Sequence, residues 1–173
     1  TYGTHHVSIA SIPSMYERTI LASGFSKAYA MTGWRLGYVC GAPELIKAIT
    51  KIHQYAIMCT PTTSQHAAIE ALRNGDNDIE MMKTEYNYRR RLIYEGFNSM
   101  GLDCFEPKGA FYVFPCIKSL GMNSSDFCIA LLNEQKLAVV PGSAFGSSGE
   151  GFVRCSYAYS TEKINEALNR IDI

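Results

Sequence analysis

Residues 24–37 read GFSKAYAMTGWRLG, and the prediction of the fold starts from this stretch. It joins two short apolar runs, residues 19–22 (TILA) and 36–40 (LGYVC), each of which predicts a buried β-strand. One lysine, Lys27, lies between the runs and is followed by Arg35. Because burying an ammonium group is costly, a lysine between two core strands either extends to solvent or takes part in chemistry. A Ser-Lys pair alone favours the first explanation.

A chemical role would account for the position of Lys27. An aldehyde cofactor condenses with an amine to form a Schiff base. If the cofactor also carries a phosphate, that group needs hydroxyl groups and a cation, which Ser26 and Arg35 can supply. The glycines and small residues around them allow a planar ring and a phosphate to approach the backbone closely.

The stretch as a whole resembles the pyridoxal-phosphate lysine signature of the class I and II aminotransferases, which are fold-type-I enzymes. This resemblance implies pyridoxal 5'-phosphate as the cofactor, Lys27 as its Schiff-base and catalytic residue, and Arg35 as a phosphate ligand. Many members carry a phosphate-binding hydroxyl three residues before the lysine, where this chain has Gly24. Ser26 and Ser23 are therefore expected to bind the phosphate instead.

A second set of segments resembles the small domain of the same enzymes, in the same order. These segments are residues 106–115 (EPKGAFYVFP), 139–146 (VVPGSAFG) and 151–154 (GFVR). Arg154 interrupts an otherwise apolar strand. The pattern is compatible with two explanations: an arginine on an edge strand with its head in water, or a planar fork that binds a carboxylate through two hydrogen bonds. The resemblance implies that Arg154 binds the substrate α-carboxylate. It covers essentially the whole chain and points to the aspartate and aromatic aminotransferase subgroup.

The remaining pattern predicts an α/β fold in two parts. Helices are predicted from residue 43, over 62–72, over 78–100, from 124 and from 160, and further strands over 110–114, 137–140 and 152–157. Residues 1–75 would form the carboxy-terminal part of the cofactor-binding large domain, with two strands and helices. Residues 76–173 would form a long connecting helix and an α+β small domain. Arg89, Arg90 and Arg91 are expected on a solvated face of that helix.

Composition excludes several classes of partner. With 47% hydrophobic and 18% charged residues and no net charge, the 173-residue chain is globular in type and indicates no nucleic-acid partner. No apolar run approaches the roughly 20 residues that a membrane helix needs. The six cysteines lack metal-site spacing, which predicts no metal and a reducing, cytoplasmic location.

These observations lead to an expected function. The chain is expected to be the carboxy-terminal portion of a homodimeric aminotransferase that moves an amino group between an L-amino acid, aspartate or aromatic, and a 2-oxo acid. By the resemblance, the residues that stack on the cofactor and pair with its pyridine nitrogen belong upstream of Thr1. Two alternatives remain open: a carbon–sulfur β-lyase on the same scaffold, and a non-catalytic fragment that needs the amino-terminal part. Two strands alone are also expected to leave apolar surface exposed.

Overall fold

The computed structural model describes residues 1–171 and has an α/β fold. The chain divides into two compact units. The amino-terminal unit is His5–Met82, and the carboxy-terminal unit contains Thr1–Thr4 and the chain from Lys83 onwards. The boundary between them falls within a long helix, whereas the sequence prediction put it at the start of that helix, between residues 75 and 76.

The amino-terminal unit is built around a two-stranded antiparallel sheet. Its elements are β1 (Leu21–Gly24), α1 (Phe25–Ala28), β2 (Gly37–Cys40), α2 (Pro43–Ala56) and α3 (Thr62–Asn74). Proline in the first turn of α2 and Glu44 beside it suit a helix amino terminus, where one N–H has no partner and the dipole favours negative charge. The small core consists of Phe25, Met31 and Ala68, with Tyr29 and Leu36 packed against it.

Both strands were predicted to be buried, and this is wrong for the chain as described. All four residues of β2 are exposed, including Tyr38 at 44% and Val39 at 40%. Helix α2 also buries no residue, and its Tyr55 is 83% exposed. The physical reason is that a pair of strands without a second layer has nothing to pack against. The exposed apolar surface expected of an unpartnered pair is therefore observed.

The carboxy-terminal unit has a larger core of its own. Its elements are most of α4 (Asp76–Ser99), then β3 (Tyr112–Val113), α5 (Ser124–Gln135), β4 (Val140–Pro141), β5 (Val153–Ser156) and α6 (Thr161–Ile171). The three strands are antiparallel in the order β3-β5-β4, so β5 is central. Buried side chains of α4, β3, β5 and α6 form the core, among them Phe97, Val113, Val153, Ile164 and Leu168. Along β5, buried and half-buried residues alternate, as expected for a strand with one face on the core.

The expectation of a solvated arginine trio on α4 is wrong for Arg90. This side chain is only 6% exposed, and its Nη1 donates to Glu106 Oε1 at 2.7 Å and to the Pro107 carbonyl at 3.2 Å. Its Cζ lies 5.1 Å from the centre of the Tyr2 ring. The turn at residues 106–107 brings acceptors to this face of α4, and a buried guanidinium is tolerated where such acceptors satisfy it.

Residues Thr1–Thr4 are attached to the carboxy-terminal unit through Tyr2. Its hydroxyl donates to the Ala110 carbonyl at 2.7 Å, and the Tyr157 hydroxyl donates to the same carbonyl at 2.8 Å. Burial raises the pKa of both tyrosines, which keeps both hydroxyls protonated as donors. The bonds hold Ala110 in a left-handed conformation with φ 59°, which is uncommon for a residue with a side chain.

Within residues 1–171, no helix combines the length and the apolar character that crossing a membrane requires.

The ion pair of Glu106 should make stability depend on pH. Hydrogen bonds from Arg90 and then from Lys108 lower the pKa of Glu106 from 4.5 to about 2 in the folded chain. Since the folded pKa lies below the unfolded one, the stabilisation is present above 4.5 and is lost as the pH falls towards 2. We expect Glu106→Gln to lower the free energy of unfolding near pH 6, with the difference from wild type shrinking by about pH 3.

Chemical denaturation followed by circular dichroism across this pH range is the measurement. Glu134→Gln is the matched control, because Glu134 is exposed and has no hydrogen bond or ion pair within residues 1–171. Equal effects of the two substitutions at neutral pH would contradict the prediction.

Candidate active site

Lys27 lies on α1, a single helical turn that directly follows β1. An isolated turn of four residues is not stable by itself, so tertiary contacts must hold it. Phe25 supplies them: its side chain is buried, and its ring contacts those of Tyr29 and Tyr38 with centres 5.2 and 5.7 Å apart. The Phe25 carbonyl also accepts the N–H of Tyr29 at 3.3 Å. The position of Lys27 is therefore set by the burial of a residue two places before it.

Arg35 ends the 3-10 turn Thr32–Trp34 in a left-handed conformation, with φ and ψ both 54°. Its Nη1 donates to the Thr32 carbonyl at 3.0 Å. The turn itself is attached to α3, because the buried Ser64 hydroxyl donates to the Trp34 carbonyl at 2.8 Å. These contacts redirect the chain from the turn into β2 and fix the backbone from which Arg35 extends.

Gly24 and Gly37 face each other where the two strands meet. A Cβ added to Gly37 would lie 3.0 Å from the Ser23 carbonyl oxygen, and one added to Gly24 would lie 3.1 Å from the Leu36 carbonyl oxygen. Both distances are tighter than ordinary carbon contacts. The two glycines therefore permit a close backbone approach at this end of the sheet.

A cavity of about 590 Å³ opens at this end of the sheet. The residues that line it include Ser23, Ser26, Lys27 and Arg35, next to Gly24 and Gly37. The fold thus brings together the four residues that sequence analysis selected for cofactor binding. One amine, two hydroxyls and one guanidinium form a donor set that fits a molecule with an aldehyde and a phosphate.

The cations of this cavity are not neutralised by neighbours. Within residues 1–171, the Lys27 side chain forms no hydrogen bond or ion pair, and that of Arg35 bonds only to the neutral carbonyl of Thr32. Over the same residues, no group of three or more His, Cys, Asp or Glu side chains is arranged to hold a metal ion. The cavity is accordingly suited to an anion.

Arg154 lies in the other unit, on β5 opposite Val140. Because β5 is the central strand of its sheet, the edge-strand explanation of this arginine is wrong. Its Cζ lies 4.5 Å from the centre of the Tyr112 ring and 4.7 Å from that of Phe145. Its guanidinium forms no hydrogen bond or ion pair with any residue of the described chain.

The loop before β5 is fixed by Glu150, which sequence analysis did not single out. Its carboxylate accepts from the Ser124 N–H at 2.7 Å, from the Ser124 hydroxyl at 2.9 Å and from the Gly151 N–H at 2.9 Å. These bonds, that of the Ser124 N–H foremost, lower the pKa of Glu150. A glutamate in a glycine-rich loop carries no local sign of this role, because its partner Ser124 is at the start of α5.

Comparison with known proteins identifies the family. The family model for aminotransferase class I and II matches residues 2–171. The chain belongs to this family. Its members depend on pyridoxal phosphate, a molecule with the aldehyde and phosphate that the cavity residues fit.

Relatives of this aminotransferase chain extend well beyond it. It is 56% identical to a putative aminotransferase, YugH, of Bacillus subtilis over 99% of this chain and 44% of that protein. It is 49% identical to an aspartate aminotransferase of Pyrococcus abyssi, over 96% of this chain and 43% of that protein. The crystal structure of an aromatic aminotransferase from Pyrococcus horikoshii matches with a TM-score of 0.95 and 46% identity, over 99% of this chain and 46% of that one. The chain therefore spans less than half the length of these relatives.

The bond from Ser64 to Trp34 should hold the turn that precedes Arg35. We expect Ser64→Ala to speed amide exchange in peptides covering residues 31–37 by about fivefold, equivalent to about 1 kcal/mol for one lost hydrogen bond. Hydrogen–deuterium exchange with mass spectrometry measures this directly. Thr63→Ala, which removes an exposed hydroxyl one residue earlier, is the control. Identical exchange in both variants would show that the bond does not stabilise the turn.

Proposed function

We propose that the intact protein is a pyridoxal-phosphate-dependent aminotransferase. It would move an amino group between an L-amino acid and a 2-oxo acid. The observation that carries this proposal is the cavity in which Lys27, Arg35, Ser23 and Ser26 meet. Aspartate or an aromatic amino acid is the proposed donor, because relatives include the aspartate aminotransferase of Pyrococcus abyssi and aromatic-amino-acid aminotransferase 2 of Thermococcus litoralis.

The proposed architecture follows the same family. The amino-terminal unit would be the end of a fold-type-I large domain, α4 the connecting helix, and the rest of the carboxy-terminal unit the small domain. A homodimer is proposed because α2 exposes Ile52 and Tyr55, apolar side chains that a second subunit could cover. A cytoplasmic location is proposed because all six cysteines, each among the described residues, are free thiols.

Four side chains would hold the cofactor. Lys27 would hold the aldehyde carbon through its ε-amine as a Schiff base, and Arg35, Ser26 and Ser23 would hold the phosphate. An arginine suits the phosphate because its planar fork can donate two parallel hydrogen bonds. When bound, the cofactor supplies an electron sink for the bond broken at the substrate α-carbon.

Lys27 would also move the proton in the reaction. Once its amine is free and neutral, Lys27 would accept the proton from the substrate α-carbon as a general base and, as an ammonium, would be the acid that gives the proton up again. Arg154 would act on the substrate: its fork would hold the substrate α-carboxylate and so orient the α-carbon. Support for that role comes from its uncommitted N–H groups, since no acceptor within residues 1–171 occupies them.

Amino transfer by the intact protein tests the proposed activity. With pyridoxal phosphate present, aspartate or phenylalanine should lose its amino group only when a 2-oxo acid is supplied to receive it. Lys27→Ala should lower this rate by at least about a hundredfold, as expected when a positioned proton-transfer group is removed. Chromatographic measurement of both products gives the rate.

Two results would overturn this assignment. Release of pyruvate and ammonia from a cysteine-type substrate, without any oxo-acid dependence, would identify a carbon–sulfur β-lyase instead. Transfer at the wild-type rate by Lys27→Ala would remove the lysine from the mechanism. The matched control is Lys47→Ala, which replaces a lysine of helix α2 and should leave amino transfer unchanged.

Arg35 should contribute strongly to cofactor affinity. Loss of its charge-assisted contact in Arg35→Ala should weaken pyridoxal-phosphate binding by about 2–3 kcal/mol, which is about 30- to 150-fold. Titration of the cofactor-free intact protein, followed by absorbance, measures the dissociation constant. Arg73→Ala removes an exposed arginine of α3 and should have no effect. Wild-type affinity in Arg35→Ala would exclude a phosphate contact.

A further inference from the structure

The guanidinium of Arg154 lies close to two aromatic rings. Its Cζ is 4.5 Å from the centre of the Tyr112 ring and 4.7 Å from that of Phe145. Both distances are within the roughly 6 Å over which a cation is attracted to the face of a ring. Tyr112 has its ring contact with Phe111, and Phe145 with Phe114; among the described residues, no ring contact joins Tyr112 to Phe145. Arg154 is therefore in contact with two rings that make no ring contact with each other.

These contacts use none of the hydrogen-bond donors of Arg154, which have no acceptor within residues 1–171. The five N–H groups of an arginine point outward in its plane, so a ring packed on a face of the guanidinium does not use them. A carboxylate forms its two parallel hydrogen bonds in that same plane. Elsewhere in the unit, Arg90 and Arg170 are held by carboxylates, those of Glu106 and Glu166, which occupy their N–H groups and offset their charge. Rings can hold Arg154 while its charge and its donors stay available.

The backbone holds both rings in position. Tyr112 is opposite Ser156 on β5, so its side chain is on the same face of the sheet as that of Arg154, two residues away. Phe145 comes from the turn Gly142–Phe145, which follows β4 directly. A Cβ on Gly142 would lie 2.0 Å from the Gly149 carbonyl oxygen, so the two ends of the loop are in direct contact.

We propose that Tyr112 and Phe145 are positioning residues that hold the Arg154 guanidinium between their rings, edge-on to the substrate α-carboxylate. This inference rests on the proposed function of Arg154 as the carboxylate-binding residue. Phe145 remains 50% exposed although it is a large apolar side chain, which suits a ring whose partner is the cation rather than the core. The hydroxyl of Tyr112 has no hydrogen bond within residues 1–171, so the ring is the part that acts.

The test measures binding of a carboxylate that cannot react. The intact enzyme, loaded with pyridoxal phosphate, is titrated with succinate and with 3-phenylpropionate, which carry carboxylates and no amine. Tyr112→Leu and Phe145→Leu should each weaken this binding about three- to tenfold, as expected for loss of one cation–ring contact. Each should raise KM for amino-acid and oxo-acid substrates more than it lowers kcat. Tyr112→Phe, which keeps the ring, should bind these carboxylates like the wild type.

Two controls separate positioning from folding. Phe127→Leu removes a half-buried ring from α5 that packs on the core, and it should leave carboxylate affinity unchanged. Cofactor affinity should be unchanged in every variant of this set. If Tyr112→Leu fails to fold, Phe145→Leu decides the question alone, since Phe145 is half exposed. Equal weakening by Phe127→Leu would overturn the proposal.

Arg154→Lys distinguishes failure of this inference from failure of the function on which it rests. Lysine keeps the charge and removes the fork, so carboxylate binding should weaken about tenfold or more. If Arg154→Lys weakens carboxylate binding while both leucine variants bind like the wild type, the rings do not position Arg154, although Arg154 still binds the carboxylate. If Arg154→Lys itself binds like the wild type, Arg154 does not hold the carboxylate and both proposals fall. In an Arg154→Lys background, Tyr112→Leu should weaken carboxylate binding by a smaller factor than it does in the wild type.

Discussion

Lys27 and Arg35 in the amino-terminal unit and Arg154 in the carboxy-terminal unit share one constraint: each is held in place without being neutralised by a carboxylate of the described residues. Lys27 is positioned by the burial of Phe25, Arg35 by the carbonyl of Thr32, and Arg154 by two aromatic rings. None of these contacts places a carboxylate beside the cation. A neighbouring carboxylate would lower the affinity of the cation for an incoming anion. A phosphate or a carboxylate ligand can therefore provide the counter-charge itself.

The buried Arg90 shows the opposite solution. It is paired with Glu106, whose pKa is lowered to about 2 by the arginine and by Lys108. Here the guanidinium connects α4 to the turn at residues 106–107 and contacts the ring of Tyr2. An arginine therefore has a structural role where a carboxylate occupies its N–H groups, as in Arg90. It stays available for a ligand where aromatic rings contact it instead, as in Arg154.

The two units differ in how much of their apolar surface they bury. The carboxy-terminal unit packs α4, α6 and its sheet around a continuous core. In the amino-terminal unit, by contrast, all four residues of β2 are exposed and α2 buries no residue. A two-stranded sheet with one small core is marginal in water. The residues that line the cavity around Lys27 come from this unit, so their geometry depends on the few buried contacts of Phe25, Met31 and Ala68.

The sequence by itself identified the candidate site. One lysine and one arginine between two apolar runs, with small residues around them, indicated a role for Lys27, Ser26 and Arg35, and the resemblance of the whole stretch to the aminotransferase lysine signature selected these residues and added Ser23. They were accessible to sequence reasoning because they lie within one local stretch, and a turn between paired strands keeps such residues together. The family and its α/β class followed from that stretch and from the order of the later segments.

Only the tertiary structure decided which residues surround the arginines. Arg90 is buried and its neighbours are not, because a turn sixteen residues later along the chain supplies its acceptor. Arg154 lies in the central strand of its sheet because β5 pairs with both β3 and β4, two strands that come earlier in the sequence. Tyr112 and Phe145 meet at its guanidinium although they belong to different segments. Such contacts depend on strand order and on loop closure, which hydrophobic periodicity does not encode.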